Sequence, residues 1–327
     1  MDINNYIKNI FRIKGPDEFN DHAMQLFKYQ YKFNNLYQKY VNLLGYDVSK
    51  IKDYKSIPFL PIDFFRTKKI TTSHISHQAV FFSSGSTNSL KSKHYILNLE
   101  IYKKSLLSSF KFFFDDPNKF TILCVVPSFK ANPHSSLAFM CNELIKKSEN
   151  EKSGFYLNRI NKLKDIILDC EKEKQKYILF GLSFELIQLA KEESISLKNG
   201  IIIETGGTKK NQTRIIKEIM HQQLKQQFQS ANINSEYGMA ELLSQSYCFD
   251  SVLFYSPPWK KVLIRDKTNP LKIINDNQRG CINIIDLANI YSCGFIATND
   301  LGYSHNGGFN IIGRNQNATQ RGCNLMI

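Results

Sequence analysis

The sequence predicts an α/β fold with mixed or largely parallel sheets flanked by helices, followed by a smaller β-rich C-terminal subdomain. A chain of 327 residues with 42% hydrophobic side chains can build a real core, which excludes a disordered or fibrous protein. From about residue 78, short apolar runs alternate with amphipathic segments of helical period. In the last third, strand and turn patterns outnumber helical ones.

Four segments follow from these patterns. Apolar side chains recur at helical spacing between Leu26 and Leu44, and Gly45 is a natural stop, so residues 1–75 are predicted as a helical N-terminal part. Pro58 and Pro61 favour an extended stretch that runs into residues 62–66. We expect an α/β core over 76–250, a β-rich subdomain over 251–312, and a short tail over 313–327 that carries Cys323.

Individual elements can be placed within the core and the β-rich subdomain. The apolar runs predict strands at 79–82, 121–126, 177–180, 200–203, 281–285 and 295–298. The amphipathic segments predict helices at 159–170 and 212–228.

Charge and cysteine usage narrow the function classes. The formal net charge is +14, yet the lysines are scattered, so we interpret them as solvated faces rather than as a nucleic-acid-binding surface. A weaker role in attracting an anionic nucleotide or carboxylate stays open. No run approaches about 20 apolar residues, so no membrane span is expected, and no secretory leader is expected at the N-terminus. Seven cysteines without a Cys-x-x-Cys pair suit buried, reduced thiols in a cytoplasmic protein.

A loop of small hydroxyl residues follows the first predicted strand and leads into basic residues that include Lys93. Such a loop binds phosphate oxygens through hydroxyl and backbone N–H groups, while lysine neutralises their charge. A serine-rich surface turn is the alternative. The loop residues are Ser83, Ser84, Gly85, Ser86 and Thr87.

Two further candidates lie after predicted strands. Gly206 and Gly207 follow the run at 200–203, where backbone without side chains accommodates a flat ring, although a plain turn explains them equally well. Tyr237 and Gly238 place a stacking face beside open backbone, and Glu241 is a carboxylate suited to holding Mg²⁺ on a nucleotide. An ordinary helix start is the alternative for this segment.

The last candidate is Asp300, in a turn after the run at 295–298. A single Asp there can accept hydrogen bonds from two ribose hydroxyls, although Asp is also common in turns for its backbone bonding. Further along, Gly313 precedes Arg314, whose guanidinium can reach ribose or phosphate.

Taken in this order, the motifs resemble those of the adenylate-forming enzymes, and the resemblance extends over most of the chain. Within that superfamily the chain is most similar to the acyl-protein synthetases, the family of the luminescence fatty acid–protein ligase and its phenylacetate–CoA-ligase-like relatives. The segments that carry the likeness are Ser92-Lys93-His94-Tyr95, Glu204-Thr205-Gly206-Gly207, residues 235–245, Pro257-Pro258-Trp259 and residues 321–325. The resemblance implies the large domain of that fold, with the usual separate C-terminal domain absent.

The resemblance also implies a reaction. ATP and Mg²⁺ would convert a carboxylic acid, a fatty acid by preference, into an acyl-adenylate, and the acyl group would pass to the thiol of Cys323, making the protein an acid–thiol ligase. Residues 83–87 would wrap the phosphates, Gly206, Gly207, Tyr237 and Gly238 would frame adenine, and Asp300 with Arg314 would bind ribose. Glu241 would hold Mg²⁺. A reductase, a carrier protein or CoA would accept the acyl group.

The chain departs from the family pattern in three places. Asn88 stands where the phosphate loop usually has Gly, and Asn299 replaces an acidic neighbour of Asp300. The catalytic Lys of the missing domain has no counterpart, and Lys93 is one candidate to supply its positive charge. Two other hypotheses therefore stay open: an acyl- or aryl-CoA ligase-like acyltransferase of a lipid or surface-polysaccharide pathway, and an accessory protein of this fold that has lost turnover.

Overall fold

The computed structural model describes residues 1–84, 90–192, 196–206, 217–230, 232–249 and 252–314. The chain folds into two compact units. Unit 1 comprises Met1–Leu106, Met239–Ser244 and Tyr255–Ile327, and unit 2 comprises Leu107–Gly238 and Gln245–Phe254. Each unit is built from segments that are far apart in the sequence. The two units therefore do not test the four continuous segments predicted above, and those segments stay a prediction.

Helices and strands follow one another along the whole described chain. The helices are α1 (Ile3–Ile10), α2 (Pro16–Phe33), α3 (Asn35–Leu43), α4 (Phe64–Thr67), α5 (Leu99–Phe114), α6 (Ser136–Ser148), α7 (Ile160–Lys172), α8 (Ser183–Glu192) and α9 (Lys217–Phe228). The strands are β1 (Leu60–Pro61), β2 (Ala79–Phe82), β3 (Lys93–Ile96), β4 (Thr121–Val125), β5 (Gly154–Phe155), β6 (Tyr177–Leu182), β7 (Gly200–Thr205), β8 (Ile233–Tyr237), β9 (Ser246–Cys248), β10 (Phe254–Tyr255), β11 (Lys260–Arg265), β12 (Ile273–Ile274), β13 (Gly280–Asp286), β14 (Phe295–His305) and β15 (Gly308–Arg314).

Unit 1 combines the N-terminal helices with an antiparallel sheet. Pro16 opens α2, where a missing N–H costs nothing, and the side chain of Asn34 caps α3 by accepting from the Tyr37 N–H at 3.0 Å. The sheet has the order β12-β11-β13-β14-β15, with β1 parallel to β14, and β2 and β3 form a separate antiparallel pair. The prediction of a β-rich C-terminal part is therefore confirmed.

Unit 2 is a parallel sheet covered by helices. Strands β5, β4, β6, β7 and β8 are parallel neighbours in that order, and β9 adds antiparallel to β8. Strands β4, β6 and β7 are mostly apolar, and β6 has five buried residues in a row, as expected of parallel strands that are covered on both faces. Leu163 of α7, Leu186 of α8 and Leu224 of α9 belong to the same buried core as Leu179 of β6.

The predicted elements are largely confirmed, except that the stretch predicted as extended over 62–66 is helical from Phe64 onward, in α4. The run at 79–82 coincides with β2, and the other five runs fall within β4, β6, β7, β13 and β14 or overrun them by one residue. The predicted helix at 159–170 is α7, and that at 212–228 is observed from Lys217 onward, since 212–216 lie outside the described residues. The expectation of parallel strands holds in unit 2, whereas the sheet of unit 1 is antiparallel apart from the pairing of β1 with β14.

Two sequence expectations about the whole chain can be compared with the described residues. The six described cysteines are buried and none of them forms a disulfide, as their apolar surroundings predict. None of the helices in the described ranges is both long and apolar enough to cross a bilayer.

Candidate functional site

Glu241 lies in a turn of unit 1, near the start of strand β3. Glu241 is almost fully buried, and the side chain of Ser92 lies near its carboxyl group. Burial raises the pKa of Glu241, an effect opposed by the hydrogen bond from Ser92 and by the positive charge of Arg314. An ionised carboxylate here therefore gains from any additional cation placed beside it.

The phosphate-loop prediction can be followed as far as its first two residues. The backbone N–H of Ser83 donates to Ser92 O at 3.1 Å, and the N–H of Ser92 donates to Ser83 Oγ at 3.0 Å. This exchange extends the β2–β3 pair and places Ser83 next to the residue that lies near the Glu241 carboxyl group. Ser84 is exposed, and Gly85, Ser86 and Thr87 lie outside the described residues.

Asp300 and Arg314 face one another across two neighbouring strands. They are register partners on β14 and β15, and Arg314 Nε donates to Asp300 Oδ1 at 2.7 Å. Asp300 is buried, whereas the Arg314 side chain is 73% exposed, so the guanidinium reaches in from solvent to a carboxylate set in the sheet. Near Asp300 the register of β14 shifts against both β13 and β15. Such bulges commonly redirect side chains at functional sites.

The backbone beneath Asp300 is held by a buried guanidinium. Arg265 donates to Ile282 O at 2.8 Å, to Asn283 Oδ1 at 2.7 Å and to Thr298 O at 2.6 Å, so it ties three strands together. The hydroxyl of Thr298 accepts from the Asp300 N–H at 3.1 Å. Two of these four bonds involve β14 itself, at Thr298 O and at the Asp300 N–H, and they fix the strand segment from which the Asp300 carboxylate projects.

The glycine and tyrosine motifs meet in unit 2, at the carboxyl ends of two parallel strands. Thr205 and Glu236 are register partners on β7 and β8, so Gly206 and Tyr237 follow at adjacent strand ends. Gly206 has φ +79°, a left-handed conformation that other residues adopt only with strain. The Tyr237 ring is buried against Phe254, with 5.8 Å between centroids.

A buried polar network stabilises these two strand ends. Ser183 Oγ lies 2.5 Å from Glu204 Oε2 and 2.6 Å from Gly206 O, and Thr205 Oγ1 donates to Glu236 Oε2 at 2.5 Å. A Cβ at Gly238 would lie 2.5 Å from Glu236 Oε1, so the glycine there leaves room for that carboxylate. Gly238 therefore has a packing role within unit 2 in addition to the predicted ligand role.

The remaining predicted residues are placed as follows. Lys93, the candidate for the missing charge, has an exposed side chain at the start of β3, between the buried residues Ser92 and His94. Gly207 and Cys323 lie outside the described residues. Within unit 1 the structure brings together Ser83, Glu241, Asp300 and Arg314, and within unit 2 it brings together Gly206, Tyr237 and Gly238.

Several buried polar residues around these positions were not predicted. Asp286 accepts from the N–H groups of Leu243 and Ser244 at 2.8 and 3.0 Å and from Ser244 Oγ at 2.7 Å, which fixes the turn after Glu241. His94 and Asn289 bond to the backbone of the same turn. The only sequence signal for them is a polar residue in a largely apolar strand pattern, as with Asp286 at the end of β13.

The chain was compared with models of known protein families and with curated proteins. The family model described as "Acyl-protein synthetase, LuxE" matches residues 130–327. A search of curated proteins finds no match.

Solved structures of similar fold are adenylate-forming ligases. A 2-hydroxyisobutyryl-CoA ligase in complex with 2-HIB-AMP and CoA aligns with TM-score 0.69 and 13% identity, covering 91% of this chain and 68% of that chain. ATP-bound MatB from Rhodopseudomonas palustris aligns with TM-score 0.54 and 16% identity, covering 72% and 48%. An ATP-bound RpMatB-BxBclM chimera gives 0.57 and 14%, covering 72% and 47%, so the chain spans about half the length of these two. At these identities the likeness concerns the fold.

Proposed function

Because the chain belongs to the acyl-protein synthetase family of LuxE, we propose that it joins a carboxylic acid, a fatty acid by preference, to AMP and then transfers the acyl group to a cysteine thiol. In the first step a carboxylate oxygen attacks the α-phosphorus of ATP and pyrophosphate leaves. In the second, a thiolate attacks the acyl carbonyl, AMP leaves and a thioester forms. Activation is needed because a free carboxylate is a poor electrophile.

The observation that carries this proposal is the polar group of unit 1 formed by Glu241, Asp300 and Arg314. Two buried carboxylates lie close enough to one guanidinium that its charge lowers the pKa of Glu241 while Asp300 raises it. Asp300 can accept from ribose hydroxyls while Arg314 stabilises negative charge on ribose or phosphate oxygens. We assign ribose binding to this pair.

The chemistry of Glu241 fits the proposed Mg²⁺. Among the described residues no cluster of three or more His, Cys, Asp or Glu side chains forms a ready-made metal site. One buried carboxylate is what Mg²⁺ requires when phosphates and water supply its other ligands. The bound ion would offset negative charge on the pyrophosphate, and the chain's own contribution is the buried carboxylate of Glu241.

The other nucleotide contacts are assigned by family resemblance and by position. Gly206, Gly207, Tyr237 and Gly238 are proposed to bind adenine, which the strand ends of β7 and β8 support by placing flexible backbone beside an aromatic ring. The loop from Ser83 to Thr87 is proposed to bind the phosphates. The exposed ammonium of Lys93 remains a proposal for the charge that a catalytic lysine supplies in larger relatives.

Cys323 is the proposed acyl acceptor, with Arg321 two residues earlier favouring its thiolate. The alternative acceptor is CoA, which the structure of 2-hydroxyisobutyryl-CoA ligase contains. A reductase or carrier protein would then receive the acyl group, and the reaction would take place in the cytoplasm. These assignments rest on the resemblance.

The test uses the full chain, α-labelled ATP and a panel of fatty and aryl acids. The proposal predicts acid-dependent acyl-AMP by chromatography and a mass increase of one acyl group on the intact protein. Cys323→Ser should keep acyl-AMP formation and lose the mass increase, with Cys293→Ser as the matched control because Cys293 is buried. Persistent acylation of the Cys323→Ser protein contradicts the acceptor role, and release of acyl-CoA in its place supports the CoA alternative.

A further inference from the structure

Two buried side chains grip the backbone on either side of the Glu241 side chain. The carbonyl of Ala240 lies 2.8 Å from His94 Nδ1, and the carbonyl of Glu241 itself accepts from Asn289 Nδ2 at 2.9 Å. Both His94 and Asn289 are 1% exposed, so water does not compete for these bonds. The two peptide planes that define the direction of the Glu241 side chain are therefore both anchored.

The two anchors are fixed in turn by one another and by their neighbours. Asn289 Nδ2 also donates to Cys293 O at 2.9 Å, which determines its amide orientation, and its Oδ1 lies 3.2 Å from His94 Nε2. The Phe65 ring packs edge-on against the His94 imidazole, with 5.7 Å between the ring centroids. Neither side chain can rotate without breaking a contact to the other, so they act as one rigid element.

The same strand also reaches the carboxyl group of Glu241. Ser92, two residues before His94 on the same face of the chain, lies near the Glu241 carboxyl group and lowers its pKa, while His94 bonds to the carbonyl of Ala240. Lys93 between them points to solvent. Alternate residues at the start of β3 thus face the backbone and the side chain of one carboxylate residue.

We propose that His94 and Asn289 are positioning residues that aim the Glu241 carboxylate at the metal ion of bound Mg·ATP. This inference rests on the proposed function, because it is that function that assigns the metal ion to Glu241. A loss of either anchor leaves one of the two peptide groups around Glu241 free to rotate, so the carboxylate no longer keeps a single direction. Metal-dependent nucleotide binding should then weaken, while metal-free nucleotide binding should not.

Mn·ATP serves as the probe, since the electron paramagnetic resonance signal of its Mn²⁺ changes when the complex passes from solution onto the protein, and no turnover is needed. For His94→Leu we expect Mn²⁺ in the presence of ATP to bind about tenfold more weakly than for wild type, the loss typical of one buried hydrogen bond. ATP binding without metal should stay within about twofold of wild type, because neither anchor is assigned a contact with the nucleotide itself. The matched control is Tyr37→Phe, which removes a buried bond from Tyr37 Oη to Pro58 O, 2.6 Å long, elsewhere in unit 1.

A pair of conservative variants covers the case in which His94→Leu does not fold. The amide nitrogen of Asn occupies the place of Nδ1 and can donate to Ala240 O, whereas that of Gln occupies the place of Nε2. His94→Asn should therefore keep Mn²⁺ affinity near wild type, and His94→Gln should lose it.

Equal Mn²⁺ affinity in wild type and His94→Leu, or in the Asn and Gln variants, overturns the inference. A loss of the same size in Tyr37→Phe overturns it as well, because the effect is then one of general stability. If wild type itself binds no Mn²⁺ with ATP, the proposed function fails instead.

Discussion

His94 provides a direct test of the electrostatics around Glu241. Burial lowers its pKa to about 4, an effect that the hydrogen bonds to Ala240 and Asn289 only partly oppose. In the unfolded chain the same ring has a pKa of about 6.5. The folded protein therefore excludes a proton that the unfolded chain takes up readily.

The sign and size of the effect follow from proton linkage. Above a pH of about 6.5 both states carry a neutral ring, so the native fold has its full stability there. Between a pH of about 6.5 and about 4 the unfolded chain gains a proton that the native ring does not, so stability falls as the pH is lowered. A difference of roughly 2.5 pKa units corresponds to about 3 kcal/mol lost over this range.

The assay is urea unfolding at about half-unit pH steps from roughly 7.5 to 4.5, on wild type and His94→Asn. Carboxylates and other histidines titrate equally in both proteins and cancel in the difference. We expect the free energy of unfolding of wild type relative to His94→Asn to decrease steadily below a pH of about 6.5, approaching a change of about 3 kcal/mol.

The opposite slope has a definite structural meaning. Both ring nitrogens face oxygen atoms, Ala240 O at 2.8 Å and Asn289 Oδ1 at 3.2 Å, and only an imidazolium can donate to both. A relative stability that rises as the pH falls through about 6.5 would show that these two acceptors outweigh burial and that the native ring is charged.

Three further predictions concern single residues. Asp300→Asn removes the charge opposite Arg314 and should raise the KM for ATP about tenfold with little change in the melting temperature, measured by steady-state kinetics and circular dichroism. Asp286→Ala deprives three donors in residues 243–244 of their acceptor and should lower the free energy of unfolding by at least about 3 kcal/mol in urea, whereas a change under about 1 kcal/mol would contradict the contacts. Gly206→Ala should cost about 1–2 kcal/mol because φ is +79°, while Gly15→Ala, with open space around its Cβ and no positive φ, should cost less than half of that.

The order of elements in unit 2 could be predicted from the sequence because buried parallel strands are continuous apolar runs. Residues 177–180 and 200–203 are of this kind, and both lie inside observed strands, β6 and β7. The antiparallel arrangement of unit 1 could not be predicted, since it depends on pairings such as that of β13 with β14 rather than on local pattern. The start of α9 could not be compared, because 212–216 lie outside the described residues.

The candidate site shows the same limit. Asp300 and Arg314 belong to separate motifs, and their contact arises from strand register, which the sequence does not display. Lys93 could be proposed from the sequence because of its charge. The roles of its neighbours Ser92 and His94 could not, because their contacts with buried groups depend on the fold and not on composition. The sequence predicts ligand binding for Gly238, and its packing against Glu236 depends on a side-chain position that only the fold defines.

The measurement that tests the central claim most directly is isotope exchange between pyrophosphate and ATP, run with wild type and Glu241→Gln over a panel of carboxylic acids. Reversible formation of an acyl-adenylate predicts exchange that depends on both the acid and Mg²⁺ and falls at least about tenfold in Glu241→Gln. ATP binding with no acid-dependent exchange for any acid, at concentrations up to millimolar, would contradict adenylation and favour an accessory protein that retains the fold without turnover.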